Sequence, residues 1–266
     1  MDFPRARAVA DHLVVLEAVG STNDELAARA TTALPEFTVV ATTNQTAGRG
    51  RLDRTWVTPP GRALAVSVLL RPVLADGSRV DPERYGWIPL IAGLAMTRTV
   101  ARLVGDTSAR VTLKWPNDVL IEGRKVSGVL STLLPGGTDV VVGAGLNLTI
   151  PAESLPVPTA TSLGLHGAAE QDLADRALAG YLGELRATWG AFIGSGADVR
   201  ASGIRNSVSK ACGTLGETVR VSLPDGSARV GTAVDLDDGG HLRIRTAPDA
   251  PLETVAAGDV THLRYE

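Results

Sequence analysis

The sequence predicts an α+β chain in which a larger unit of interspersed strands and helices precedes a small antiparallel β module. Three observations carry this. Short β-branched and apolar runs such as Phe37–Thr42, Ala63–Leu70 and Val140–Leu148 recur between turn residues at strand length. Ile88–Val104 and Leu173–Phe192 instead place their apolar residues at helical spacing. After about Gly213 the pattern changes to period two, in Thr218–Leu223, Arg229–Asp235 and Leu242–Thr246. Pro224-Asp225-Gly226 and Asp237-Asp238-Gly239-Gly240 punctuate these runs as hairpin turns. This last stretch, residues 215–266, has the short strands and frequent turns of a compact barrel, and residues 1–214 form the larger unit.

In chain order, Val14–Val19 reads as a strand leading into Gly20-Ser21-Thr22-Asn23. A helix follows from Asp24, with Leu26, Ala27 and Ala30 on one face and Ser21/Asp24 or Thr22/Glu25 at capping-box spacing. Phe37–Thr42 is a buried strand that empties into the polar, glycine-rich loop Asn44–Arg54. Ala63–Leu70 is a strand and Pro72–Tyr85 a long connection. In the next helix Leu90, Ile91, Leu94, Ala95, Val100 and Val104 pack on a sheet. Val111–Lys114, Val119–Ile121, Val126–Leu133 and Val140–Leu148 are four strands, and Pro151–Pro158 is an extended loop. The second long helix buries Leu178, Leu182, Leu185 and Trp189.

Composition removes several classes of function. A net charge of −3 over 266 residues gains little from counterion release, which argues against a dominant nucleic-acid role. The single cysteine, Cys212, cannot form an internal disulfide, and no CxxC or Cys/His cluster suggests zinc or redox work. It reads as a small residue in a reducing compartment. The first twenty residues lack a clean apolar h-region, and runs such as Ala65–Leu70 are far short of a bilayer span. A soluble, cytoplasmic protein is expected.

Four segments carry chemistry. In Gln45-Thr46-Ala47-Gly48-Arg49-Gly50-Arg51-Leu52-Asp53-Arg54-Thr55-Trp56, glycines let the backbone approach a ligand and three arginines offer forks for carboxylate and phosphate oxygens. Trp56 adds a face for stacking. A solvated loop with its arginines paired to acids would have the same composition. In Lys114-Trp115-Pro116-Asn117-Asp118 and the following Arg124-Lys125-Val126-Ser127-Gly128, a turn and a hairpin bring Lys125 onto a rigid strand, with Gly128 leaving the sheet face clear. Lys125 reads either as a residue aimed at a ligand or as an edge-strand lysine. Gly143-Ala144-Gly145-Leu146-Asn147 marks close approach within a strand, by a ligand or at a bulge. Ser21-Thr22-Asn23 suits a helix cap or a small polar ligand.

In this order, these segments resemble the biotin–protein ligase family. GRGR, then KWPND, then RKxxG is far more specific than any one piece, and the match covers roughly residues 15 to 165. The resemblance implies a mixed β-sheet catalytic domain related to class II synthetases and lipoate ligases, followed by an SH3-like barrel. It implies that ATP, with Mg2+, activates biotin as biotinyl-5′-AMP with release of pyrophosphate. Biotin then passes to a lysine of a biotin carboxyl carrier protein domain of an acyl-CoA carboxylase.

The same resemblance assigns Ser21, Thr22, Asn23 and Gln45 to the biotin ring system, and Arg49, Gly50 and Arg51 to carboxylate and phosphates. Lys125, Arg49 and Arg51 become the catalytic set, with Gly128 making room for the biotin chain. Arg54 would order the loop, and Trp56, Asn147, Asn117 and Ala160 would frame the adenylate. Asp118 would position Lys125 or magnesium. The arginine–glycine loop is expected to be mobile until ligand orders it. Leu52-Asp53 departs from the pattern, standing where a basic residue or glycine is expected. Only twenty residues precede Ser21, too few for the DNA-binding domain of the family's repressors, so the monofunctional type is implied and DNA and membrane are not expected partners. Oligomeric state stays open. The rival readings are a lipoate or octanoate ligase, which shares the logic of adenylation, and a non-enzymatic biotin sensor.

Overall fold

The structure is a computed structural model that describes residues 2–30, 34–51, 54–56, 58–105, 108–168, 172–223, 225–256 and 258–262. Leu52, Asp53 and Pro224 lie outside the described residues.

The chain begins with α1 (Pro4–Val9) and β1 (His12–Val15), then α2 (Thr22–Arg29), β2 (Thr38–Thr42), β3 (Gly48–Arg49), β4 (Thr55–Trp56) and β5 (Ala63–Leu70). Next come α3 (Trp87–Val104), β6 (Val111–Lys114), β7 (Asp118–Ile121), β8 (Arg124–Leu133) and β9 (Val140–Asn147). Two helices follow, α4 (Leu173–Gly194) and α5 (Ile204–Ala211). The chain then forms β10 (Thr218–Ser222), β11 (Ala228–Leu236), β12 (Leu242–Arg245), β13 (Glu253–Val255) and β14 (Asp259–His262).

Seven strands form one sheet in the order β1-β2-β5-β9-β8-β7-β6. Only β1 and β2 run parallel, so the sheet is mixed, as anticipated. One face carries Leu64, Val66, Val68, Leu70, Val142 and Ala144 into the main core, under α3 and α4. On the other face α2 covers only part: its Leu26 packs with Val40, Leu69 and Val141. The rest of that face stays open and becomes the cleft.

α3 and the turn before it are long and apolar enough by composition to cross a membrane. Yet Leu90, Ile91, Ala95 and Met96 are fully buried, so this is the core helix of the sheet's closed face. Cys212 is also buried, and burial pushes its thiol above the ordinary value.

Several elements depart from the expected boundaries. The first strand ends at Val15 rather than Val19, because the chain bends at the exposed Glu17 and pairs again only at Val19, opposite Gln45. α1 was not foreseen; its first amides donate to the carboxylate of Asp175 on α4, at 3.0 Å from Arg5 N and 2.9 Å from Ala6 N. α5, β13 and β14 are also additions to the sequence reading.

The second sheet is antiparallel, in the order β13-β12-β11-β10-β14, around Val219, Val221, Ala233, Leu242, Ile244 and Val260. It docks through its β11–β12 turn. Trp87 Nε1 donates to Asp238 O at 2.8 Å and Trp115 Nε1 donates to Gly240 O at 3.0 Å. Arg200 and Arg205 both reach Asp238 Oδ1. A Cβ on Gly86 would come within 2.3 Å of Gly239 O, so glycine allows the two backbones to meet. This docking turns β14 toward the cleft.

Candidate active site

Two transverse rows of residues make the cleft floor. Strand register aligns Lys114, Asp118, Gly128, Gly145 and Ala65 across β6, β7, β8, β9 and β5. The neighbouring row is Leu130, Gly143 and Ser67. The small residues in the middle of these rows are each covered by a side chain from elsewhere. A Cβ on Gly143 would fall 2.1 Å from Asn23 Oδ1, one on Gly145 2.6 Å from Trp56 Cε2, and one on Gly128 3.0 Å from Lys125 Nζ. The space that Gly128 clears is therefore taken first by Lys125 and Asp118.

Lys125 lies three positions before Gly128, an odd spacing that regular alternation would send to the opposite face. A register shift resolves this. Ser127 pairs with Val119 while Lys125 pairs with the adjacent Leu120, so β8 bulges by one residue and re-aims Lys125 into the cleft. Its Nζ sits 2.6 Å from Asp118 Oδ1 and 5.5 Å from the Trp56 ring centroid. Backbone bonds from Lys125 N to Thr159 O and from Thr161 N to Lys125 O fix its base, with Ala160 bridged opposite.

The polar end is built on the N-terminus of α2. Ser21 caps the helix by accepting from Asp24 N at 3.3 Å, so the capping reading holds, and Ser21 also lines the cleft. Gln45 Oε1 accepts from Thr22 N at 2.9 Å, and Asn23 Nδ2 donates to Leu130 O at 3.1 Å. Ser67 donates to Asn23 Oδ1 at 2.6 Å and lies 2.8 Å from Thr22 Oγ1. The bonds to Ser67 are buried, and those to Gln45 and Leu130 are partly so.

The arginine–glycine segment is a ribbon as well as a loop, with Gly48 opposite Trp56 and Arg49 opposite Thr55. A Cβ on Gly48 would meet Trp56 O at 2.4 Å, which explains the glycine. Arg49 reaches Asp24 on α2 at the cleft rim, and Arg54 reaches Asp259 on β14. Gly50 lines the cleft beside them. Arg51 Nη1 donates to Asn117 Oδ1 at 3.1 Å, and Asn117 is held by its Nδ2 bond to Val129 O at 2.7 Å. Burial pulls the Arg51 pKa below its ordinary value, while Asp259 and Asp118 oppose the shift. The alternative of arginines paired with acids thus describes Arg49 and Arg54 here, but not Arg51.

Asn147 is buried and donates from Nδ2 to Thr161 O at 2.9 Å, and its side-chain oxygen meets no donor among the described residues. All of the sequence-derived candidates, from Ser21 to Ala160, line one cleft of about 920 Å³. The sequence reading missed Ser67, the rim role of Asp24, and the β14 wall of Asp259, Val260, Thr261 and His262, whereas Gly143 stood in a segment already marked for close approach. A serine inside an otherwise apolar strand was the one local signal; β14 offered none. Among the described residues no group of three or more His, Cys, Asp or Glu could cage a metal, and Asp118 is committed to Lys125.

Comparison with known proteins agrees with this geometry. Residues 15–147 match the biotin/lipoate A/B protein ligase family, and residues 214–263 match the biotin protein ligase C terminal domain. The chain is 38% identical over 257 residues to a biotin–[acetyl-CoA-carboxylase] ligase of Mycobacterium tuberculosis, covering 95% of this chain and 89% of that one. A bifunctional ligase/repressor of Bacillus spizizenii is 28% identical over 155 residues, which span 45% of its length. Among solved structures, a biotin protein ligase from Aquifex aeolicus in complex with biotin and ATP aligns with a TM-score of 0.74 and 26% identity, covering 96% of this chain and 99% of that one. One from Leishmania major in complex with biotinyl-5-AMP gives 0.60 and 26%, covering 92% and 99%. The chain belongs to the biotin/lipoate A/B protein ligase family and carries the C-terminal domain of its biotin protein ligases.

Proposed function

We propose that this chain is an ATP-dependent biotin–[acetyl-CoA-carboxylase] ligase. It joins biotin to AMP and then to a lysine of a biotin carboxyl carrier domain. The observation that carries the reading is Lys125, aimed by a bulge to the point where the polar pocket of α2 meets the arginine ribbon.

In the first step a biotin carboxylate oxygen attacks the α-phosphorus of ATP, the bond to the β-phosphate oxygen breaks, and pyrophosphate leaves. Two anions must meet, so fixed positive charge lowers the barrier. The Lys125 ammonium has three donors; Asp118 takes one and two remain for carboxylate and α-phosphate oxygens. Arg51 and the Gly50 backbone bear on the same atoms, with Arg49 closing from the rim. Ser21, Thr22, Asn23 and Gln45 hold the ring system, and Gly128 keeps the valeryl path open beside Lys125. Trp56, Asn147, Asn117 and Ala160 frame the adenine, and Arg54 ties the ribbon to the barrel wall. In the second step the carrier lysine amine attacks the acyl carbon, the bond to AMP breaks, and the amine loses a proton.

Magnesium would accompany ATP, held by phosphate oxygens and water, since the described residues offer no cage for it. A cytoplasmic location fits this activity, and the one helix among the described residues that is long and apolar enough to cross a membrane is buried in the core.

The test is incubation with biotin, ATP, magnesium and a carrier domain, followed by mass measurement. The expected product is the carrier plus one biotinyl group. A carrier that gains mass only with lipoate or octanoate, or not at all, would overturn the reading.

A further inference from the structure

We propose that Lys114 is the site of the leaving group: it binds the β- and γ-phosphates of ATP and stabilises pyrophosphate as it departs. The inference rests on the ligase reading and adds a residue to it. Six cationic side chains line the cleft: Arg49, Arg51, Arg54, Lys114, Arg124 and Lys125. Four are engaged, by Asp24, Asn117, Asp259 and Asp118 respectively for Arg49, Arg51, Arg54 and Lys125. Arg124 is exposed at the rim, where an unpaired guanidinium is simply hydrated. Lys114 is different. It is half-buried, lines the cleft, and its amine meets no hydrogen-bond or ion-pair partner among the described residues. An ammonium in the cleft with no bond to give up keeps its three donors for an incoming polyanion, and Asp118 opposite it is already taken by Lys125.

Its position also fits the direction of the reaction. Phosphoryl displacement places nucleophile and leaving group roughly in line on opposite sides of the phosphorus. The polar pocket lies over Gly143 and Ser67, on β9 and β5, and Lys125 stands over Gly128 on β8. Continuing along the same row through Asp118 brings the line to Lys114 on β6, two strands or about 10 Å beyond β8. A carboxylate arriving from the β9 side therefore expels pyrophosphate toward β6. Lys114 is also anchored where this matters: its carbonyl accepts from Asn117 N at 3.1 Å, in the turn that holds Arg51. The nearest carboxylate in the row, Asp118, is already neutralised by Lys125, so it does not repel the outgoing phosphates.

Pyrophosphate departs only in the first half-reaction, and this separates Lys114 from a structural residue. In Lys114→Met, pyrophosphate release from biotin and ATP should fall about tenfold or more and the KM for ATP should rise, as when one electrostatic stabiliser is removed. Transfer of biotin from purified biotinyl-adenylate to the carrier lysine should stay within about twofold of the wild type, because AMP, not pyrophosphate, leaves in that step. Biotin affinity of the variant, read by calorimetry, should match the wild type and so report an intact fold, and Lys114→Arg should recover most of the lost rate. Equal losses in both half-reactions, or unchanged pyrophosphate release, would overturn the proposal. Wild-type chain is assayed alongside: if it makes no biotinyl-adenylate, the ligase reading fails, and with it the inference; if it does and Lys114→Met matches it, only the inference fails.

Discussion

Gly143, Gly145 and Gly128 let other side chains lie flat on the sheet, and each is specific to its visitor. In Gly143→Ala the new methyl would fall 2.1 Å from Asn23 Oδ1, in a place where Ser67 also holds that amide. We expect biotin affinity to drop by about tenfold or more while ATP affinity holds, since the clash lies only in the polar pocket. Calorimetry with each ligand separately checks this. On the proposed reading Lys125 stands at the reacting atoms, so Lys125→Ala should raise the adenylation barrier by about 2–4 kcal/mol, read as the rate of pyrophosphate release. At this scale much could be seen in advance. Residue type and spacing picked out Asn23, Lys125, Gly145 and Asn147 but left a cap, an edge lysine or a bulge open, and the family resemblance was what gave them roles. Ser67, Asp24 and Asp259 were not picked out as site residues, because their roles depend on strand register and on contacts from distant segments.

Among the elements, strands bounded by clear turn residues and rich in β-branched residues were legible whatever their length: Ala63–Leu70, with eight residues, and Val111–Lys114, with four, match the structure end for end. Short elements without such punctuation were not. α1, α5, β13 and β14 span only three to eight residues, too few for a period to stand out. The bulge in β8 was equally hidden, since a one-residue slip depends on the partner strand. The ribbon of β3 and β4 leads to a prediction. Arg49 and Arg54 are 60% and 65% exposed, so trypsin should cut the free protein there. Biotinyl-adenylate, by engaging the segment, should protect it, as a change in digestion half-time would report. Equal cleavage with and without the adenylate would argue against closure.

In the whole molecule, the second sheet acts as a wall. Its β11–β12 turn is pinned by the indoles of Trp87 and Trp115, and its β14 strand carries the carboxylate that holds Arg54. Trp115→Phe would leave the Gly240 carbonyl without its donor, at a cost of about 1–3 kcal/mol for a buried group. A melting temperature lower by several degrees should result. A higher KM for ATP is expected with it, because β14 would be less firmly seated. The β module itself could be read from its period-two runs and hairpin turns, but its docking could not. Nothing near Asp238 in sequence indicates that Arg200 and Arg205 converge on it.

The placement of the tryptophans gives the protein a built-in optical reporter. Of its four indoles, Trp87, Trp115 and Trp189 are at most 3% exposed and fixed in packed surroundings. Trp56 alone is partly open, lying on the bare backbone of Gly145 at the mouth of the substrate chamber. A shift in ultraviolet emission when nucleotide or vitamin is titrated in is therefore expected chiefly from that ring, and a Trp56→Phe variant that loses the shift would assign it.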